Sequence, residues 1–180
     1  MNDIKTQPPR AAVKISTAAH TALVHQLEQE IERRLLAPLT LLFDEGDAAG
    51  AVGAIGASDA VQAIRRQSAA DVQMWAAQLL GPDEDLAVTV AHRLLAALYP
   101  DGFEVPPSWW RTPLGQVVAR RLGHPHAASV SRTVAGAMLG ITRQAVQDLL
   151  TRGKLARHPD GGVSVASVRA RLNNRPDPQT

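Results

Sequence analysis

Arg143, Gln144 and Gln147 bring three hydrogen-bonding side chains together within five residues. Gln147 lies three and four positions after the other two, and this spacing makes residues neighbours on the surface of a helix. An arginine guanidinium can donate two hydrogen bonds to a guanine edge, and a glutamine amide can pair with an adenine edge. The residue types and their spacing therefore predict hydrogen bonding to base edges in the major groove of a duplex.

Two short helices joined by a tight turn would position these side chains. The first helix is predicted over Thr133–Leu139 and the second over Arg143–Leu150, each with an apolar face at helical spacing. Gly140 suits the left-handed residue that closes a helix, and Thr142 is a favourable N-cap for the next one. The pattern is that of a helix-turn-helix, whose second helix enters the groove with its first turns.

A β-hairpin and a closing helix are predicted after the second helix. Residues 151–157 lead into a turn over His158–Gly162, and its Pro-Asp-Gly-Gly sequence favours a return strand at Val163–Val165. A last helix is predicted over Ala166–Leu172. A hairpin that follows a helix-turn-helix in this way is a wing.

Residues 131–172 resemble the winged helix-turn-helix of the excisionase and MerR-like group. The matching motifs are Val134-Ala135, the stretch Leu139–Val146, Arg152-Gly153-Lys154-Leu155, and Val163-Ser164-Val165 with Val168. Gly136 and Ala137 depart from the pattern, since many relatives have a glutamate or an aromatic residue early in the first helix. The resemblance covers about a quarter of the chain. It implies binding of double-stranded DNA, with the second helix in the major groove and the wing on the backbone or the minor groove.

Contacts to the DNA backbone are predicted from the polar donors around these elements. They are Ser131, Arg132, Thr142, Arg152, Lys154, Arg157 and His158. From Arg111 to Arg175 the chain carries eleven Lys or Arg and two acids, whereas the rest carries eight Lys or Arg and fifteen acids. A basic block of this density is expected of a phosphate-binding surface, although a solvated basic face would give the same count.

The aromatic residues distinguish duplex DNA from other nucleic acids. All six Phe, Trp and Tyr residues precede the basic block. Proteins that bind RNA or single strands commonly stack bases on exposed aromatic side chains. Double-stranded DNA is therefore the predicted partner.

The composition and the periodicity predict a mainly α protein with two units. Residues 15–105 would form an N-terminal helical domain for oligomerisation or partner binding. Residues 106–175 would form a C-terminal winged helix-turn-helix with a small β-hairpin wing. A disordered tail is predicted at 1–14, and residues 176–180 are predicted to form a tail.

Start and stop signals predict the remaining helices. Ser16 or Thr17 would cap a helix that runs to Leu36, and Pro38 would end or kink it. Ser58-Asp59 would cap a second helix, which runs to Leu80, and Asp83 a third, which runs to Leu98. Thr112 with Pro113 would start a fourth helix, which runs to Leu122. Trp109 and Trp110, just before the last of these, are expected to be buried. The glycine-rich stretch 50–56 lacks the Lys-Ser/Thr ending and the βαβ setting of a nucleotide loop, and we interpret it as a loop or a loosely packed helix.

An apolar stripe in the first helix allows two interpretations. Leu23, Leu27, Ile31 and Leu35 recur every four residues. The stripe could pack on the domain's own core, or it could join two copies, because DNA-binding proteins of this kind often act as dimers on paired half-sites. We assign the four residues to dimerisation as the sharper hypothesis.

Catalysis, metal binding and membrane association are not indicated. The chain has no cysteine and no His-Glu-x-x-His sequence, and its six histidines are scattered. We expect no catalytic residue, no bound metal and no cofactor. No apolar run approaches the ~20 residues that span a bilayer, and no signal-peptide pattern opens the chain. A cytoplasmic, nucleoid-associated protein is expected.

The sequence thus predicts a DNA-binding protein that recognises a particular sequence. We expect a bacterial, phage or plasmid transcriptional regulator acting as a dimer. The alternative is an antitoxin-like or adaptor protein, in which the acidic N-terminal domain binds a protein partner and the DNA-binding part only delivers it.

Overall fold

The computed structural model describes residues 16–44 and 51–174, and the side chains of residues 42–44 and 51–58 are left out of the description. The predicted tails, 1–14 and 176–180, therefore lie outside the described residues. The elements, in order, are α1 Thr17–Ile31, a π-helical segment Glu32–Leu36, α2 Ala37–Asp44, α3 Ala51–Leu80, α4 Glu84–Leu98, a 3-10 turn Pro107–Arg111, α5 Pro113–Arg121, β1 Ser129–Val130, α6 Arg132–Leu139, α7 Arg143–Thr151, β2 Val163–Ser164 and α8 Val165–Asn173. The expectation of a mainly α protein is confirmed.

The apolar stripe of α1 lies inside the protomer. Leu23, Leu27 and Ile31 are buried, and α1 packs against α3 and α5. Side chains buried in this way cannot form a surface between copies of a folded chain. The assignment of these three residues to dimerisation is therefore wrong, and the stripe packs on the protein's own core. Leu35 alone of the four is exposed.

Pro38 does not end the first helical region. The backbone widens into a π-helical segment at Glu32–Leu36, where the amide of Ala37 donates to the carbonyl of Glu32 five residues earlier, and α2 continues beyond it. In an α-helix the proline ring would clash with the carbonyl four residues before it. A single wide turn gives the ring room without ending the helical region. Of the two predicted alternatives, the end at Pro38 is therefore wrong, and the kink stays a prediction.

The two long helices of the N-terminal half follow the sequence signals in part. Helix α3 is already formed at Ala51, so the predicted start at Ser58-Asp59 is wrong and residues 51–56 of the glycine-rich stretch are helical. Helix α4 begins as predicted, because the Asp83 carboxylate accepts a hydrogen bond from the Leu86 amide at 3.0 Å. Helix α3 packs on both α1 and α4.

Helix α5 connects the N-terminal helices with the C-terminal elements. Its predicted N-cap is confirmed, since the Thr112 hydroxyl accepts from the Gly115 amide at 3.2 Å. Gln26 of α1 reaches the same helix end: its amide donates to the Thr112 hydroxyl at 2.9 Å and its carbonyl accepts from the Leu114 amide at 2.7 Å. Gly115 is required, because a Cβ there would lie 2.2 Å from the carbonyl oxygen of Trp109.

The core runs without a gap across the predicted domain boundary at 105/106. Tyr99 and Phe103 before the boundary make edge-on ring contacts with Trp109 after it, and Trp109 makes one with Trp110. Both tryptophans are buried, as expected. These residues belong to one hydrophobic cluster together with the apolar faces of α1, α4, α5, α6 and α8. Neither side of the boundary therefore has a core that is separate from the other in this structure.

The two β-strands are short and differ from the predicted pairing. Val163–Ser164 pairs antiparallel with Ser129–Val130, which precedes α6. Between the two strands of the predicted hairpin there is a single antiparallel bridge, which joins Arg157 and Val163. Val165 is not part of the strand but begins α8. Among the helices of the described residues, none has the length and the apolar character needed to cross a membrane.

The attachment of α1 to α5 can be tested with one pair of glutamines. Gln26→Ala removes the acceptor of the partly buried Leu114 amide and a donor to Thr112, so we expect a loss of about 1–2 kcal/mol in the free energy of unfolding. Gln29→Ala on the same helix removes only an exposed hydrogen bond to His25, and we expect a change within about 0.5 kcal/mol. Urea unfolding followed by circular dichroism measures both; equal losses would show that the Gln26 contacts are unimportant.

Candidate nucleic-acid interface

Helices α6 and α7 follow each other along the chain and are separated by residues 140–142, close to the predicted bounds. The Ser131 hydroxyl caps α6 by accepting from the Val134 amide at 3.2 Å, and the Thr142 hydroxyl caps α7 by accepting from the Ala145 amide at 3.1 Å. Gly140 has φ 66° and ψ 28°, the left-handed conformation expected of it. The inward residues Ala135, Met138 and Val146 are fully buried, which confirms the predicted apolar faces.

Gly136 brings the turn close to the first helix. A Cβ at this position would lie 2.9 Å from the carbonyl oxygen of Ile141 and 3.5 Å from the amide nitrogen of Arg143. The larger residue that many relatives have early in this helix has no room at Gly136 in this turn. The departure noted in the sequence is therefore a packing requirement, and Ala137 beside it is buried as well.

The segment after α7 is held against α8 by a few specific contacts. Leu155 is buried, and the Ala156 amide donates to the Ser167 hydroxyl at 3.1 Å. The Ser164 amide donates to the Ala156 carbonyl at 2.9 Å. The turn is closed by His158, whose Nδ1 accepts from the Asp160 amide at 3.2 Å. His158 is thus partly engaged inside the protein, and its predicted role at the DNA backbone stays a prediction.

The predicted base-contacting residues differ in their surroundings. Arg143 and Gln144 are exposed at the N-terminal end of α7, and no hydrogen bond of their side chains is found in the described part of the chain. Gln147 is half-buried and accepts a hydrogen bond from Arg132 Nη1 at 2.7 Å. The structure therefore brings these residues together on one side of α7, with Arg132 of α6 beside them.

The predicted backbone-contacting residues fall into two groups. Arg152, Lys154 and Arg157 are exposed, and within residues 16–44 and 51–174 they have no carboxylate partner. The hydroxyls of Ser131 and Thr142 instead act as helix caps. Three free cations therefore follow α7 along the chain and leave the protein surface basic there.

One glutamate of the N-terminal half forms ion pairs with two arginines of the basic block, and the sequence pattern does not predict this. Glu84 of α4 accepts from Arg121 of α5 and, at 2.8 Å, from Arg169 of α8. Arg121 also donates to the carbonyls of Leu79 and Gly81. These two arginines are structural, and Arg175 lies outside the described residues. Glu84 therefore offsets part of the charge of the basic block, whereas Arg152, Lys154 and Arg157 keep no carboxylate partner among the described residues.

A shallow groove of about 580 Å³ lies beside the start of α6, lined in part by Phe103, Trp110 and His124. Burial, and to a lesser degree the neighbouring His126, lowers the pKa of His124, so this imidazole is neutral at pH 7. In residues 16–44 and 51–174, side chains that could hold a metal ion do not cluster in groups of three or more.

The comparisons relate the C-terminal half to a known domain. Residues 108–160 match the family model TetR_C_14, described as the MftR C-terminal domain, a TetR-family regulator domain. The match covers less than a third of the chain and includes α5, α6 and α7 but not β2 or α8. The comparisons with curated proteins and with solved structures give no match. They do not relate the segment to the excisionase and MerR-like group, so that likeness is limited to the motifs.

The ion pairs of Glu84 predict a dependence of stability on pH. Burial is the largest single influence on the pKa of Glu84 and raises it, but the hydrogen bonds and charges of Arg121 and Arg169 together outweigh burial and lower the pKa. A lowered pKa in the folded state contributes stability above the pKa of the unfolded chain, and this contribution is lost as the pH falls through the folded value.

Glu84→Gln should therefore destabilise the protein at pH 7, by up to about 1 kcal/mol because the side chain is partly exposed, and have less effect at pH 3. Urea unfolding at the two pH values measures the difference. Asp85→Asn is the matched control, because it removes a neighbouring charge from the same helix end without breaking an ion pair. A loss that is the same at pH 7 and pH 3 would contradict the prediction.

Proposed function

We propose that this protein is a transcriptional regulator that binds double-stranded DNA at a specific sequence. The observation that carries the proposal is the exposure of Arg143 and Gln144 at the N-terminal end of α7. The hydroxyls of Ser131 and Thr142, by contrast, accept hydrogen bonds as the caps of α6 and α7. Helix α7 would enter the major groove with this end. The likeness of residues 108–160 to a TetR-family regulator domain supports a role in transcription regulation.

The segment after α7 is proposed to act as a wing on the DNA backbone. Arg152, Lys154 and Arg157 precede the turn that the Arg157–Val163 bridge closes, and each carries an uncompensated charge. Cations in these positions neutralise phosphates and release counterions, so they contribute affinity without sequence preference. This division assigns the base contacts to α7 and the phosphate contacts to the segment after it.

Two arginine substitutions test that division. Arg143→Ala should lower the affinity for the preferred sequence by about 1–3 kcal/mol and relax specificity at one base pair. Arg152→Ala should weaken binding to preferred and random duplexes alike and reduce the slope of log K against log salt by about one unit. Fluorescence anisotropy with both duplexes over a range of salt concentrations measures these effects. If the two variants behave alike, the assignment of α7 as the base-contacting helix is wrong.

We further propose that the regulator acts as a dimer, which is typical of TetR-family regulators. The N-terminal helices expose Leu35, Leu41 and Ile64, and these side chains are candidates for the contact now that the rest of the α1 stripe is excluded. The same exposed side chains favour the alternative function, in which the N-terminal helices bind a different protein.

A footprint distinguishes the alternatives. A dimer on paired sites should protect two half-sites about 34–36 Å apart, one turn of the duplex, and sedimentation of the free protein should give twice the monomer mass. Leu41→Glu should then yield a monomer that protects only one half-site, with Gln62→Glu at an exposed position of α3 as the control. A single half-site for the unaltered protein would contradict the dimer and favour the protein-partner function.

A further inference from the structure

Arg132 and Gln147 form a direct link between the two helices of the helix-turn-helix. Arg132 is the first residue of α6 and Gln147 is in the middle of α7, and the guanidinium Nη1 donates to the amide oxygen Oε1 at 2.7 Å. Arg132 is exposed, and among the described residues it has no carboxylate partner. From the sequence alone, Arg132 was assigned to a phosphate and Gln147 to a base edge, and nothing connected them.

The link determines which way the Gln147 amide points. A guanidinium has only N–H donors and no acceptor, so the atom of Gln147 that faces Arg132 must be the oxygen. The nitrogen Nε2 is on the other side, where it lies 3.4 Å from the Thr151 hydroxyl oxygen. That hydroxyl donates its own hydrogen to the Gln147 backbone carbonyl at 3.0 Å, so its oxygen can accept the amide hydrogen. Both ends of the amide are thus oriented by neighbours.

The orientation changes the base that Gln147 is suited to contact. A free glutamine pairs with adenine by using its oxygen as acceptor and its nitrogen as donor. Here one of the oxygen's two lone pairs accepts from Arg132, and the groups beside it are N–H donors, those of the guanidinium and one of the amide, which disfavour the donating amino group of adenine. Guanine presents two acceptors, N7 and O6, and no donor on its major-groove edge.

Resting on the proposed function, we infer that Arg132 is a specificity-determining residue that orients Gln147, so that the pair recognises guanine. Arg132 then differs in kind from Arg152, Lys154 and Arg157, whose side chains have no such partner in the described part of the chain. Its loss would remove the guanidinium donors beside the amide oxygen of Gln147, and the amide could then pair with adenine.

Selection of bound duplexes from a randomised pool tests the inference. For the unaltered protein, one position of the selected motif should be guanine, and changing it to adenine should weaken binding. In Arg132→Ala that preference should fall at least about fivefold, the lower end of what one base contact contributes, and shift toward adenine. Arg132→Lys keeps a donor to the amide oxygen and should retain the preference for guanine. Arg152→Ala, which removes the same charge elsewhere, should leave the motif unchanged.

The substitution Arg132→Ala in a Gln147→Ala variant distinguishes the loss of the oriented amide from the loss of a positive charge. When Gln147 is already alanine, no amide remains to pair with adenine, so Arg132→Ala should lower the preference for guanine without a shift toward adenine. Gln147→Glu offers a further variant, because a carboxylate bonded to Arg132 presents acceptors and should shift the preference from guanine to cytosine or adenine. This variant also serves if Arg132→Ala does not fold, as judged by its thermal unfolding.

Two outcomes would overturn the inference and can be told apart. If the unaltered protein selects a motif but Arg132→Ala weakens all duplexes equally, Arg132 is a backbone contact and only this inference fails. If the unaltered protein selects no sequence, the proposed function fails as well.

Discussion

Helix α5 is the packing constraint on which the rest of the structure depends. It contacts α1, α4, α6 and α8, and its residues Leu114 and Val118 are completely buried. The hydrogen bonds of Gln26 hold its first turn to α1, and Gln116 of the same helix donates to carbonyl oxygens of Trp110 and Met138. Because those carbonyls belong to the 3-10 turn and to the end of α6, α5 holds α6 in place relative to the N-terminal helices.

The charges of the protein are distributed in agreement with this packing. Acids dominate the N-terminal helices and bases the C-terminal part, but the two meet at Glu84, which compensates Arg121 and Arg169. Arg121 and Arg169 therefore take part in ion pairs of the fold itself, whereas Arg152, Lys154 and Arg157 after α7 have no carboxylate partner among the described residues. In the proposed complex these three cations would attract the phosphates of the duplex.

The local signals in the sequence were sufficient for much of the site. Gly140, Thr142, Thr112 and Asp83 each end or begin a helix as expected, because caps depend on a residue's own backbone and its neighbours within four positions. The apolar faces of α6 and α7 followed from periodicity for the same reason.

Contacts between distant residues could not be predicted in this way. Strands of two residues have no measurable alternation, so the pairing of Val163–Ser164 with Ser129–Val130 left no pattern to detect. The stripe of α1 has the same spacing whether it meets α3 or a second copy. The bond between Arg132 and Gln147 depends on how closely two helices approach, and that distance is set in part by the missing side chain of Gly136.

The wide turn at Glu32–Leu36 accommodates one residue more than an α-helix needs. An α-helix completes the same turn with about one residue fewer. A relative that lacked one residue here and also lacked Pro38 would therefore run as an unbroken α-helix, and the residues after the turn would keep nearly the same direction. Such an orthologue would still expose the residue at the position of Leu41 while keeping α1 and its buried stripe intact.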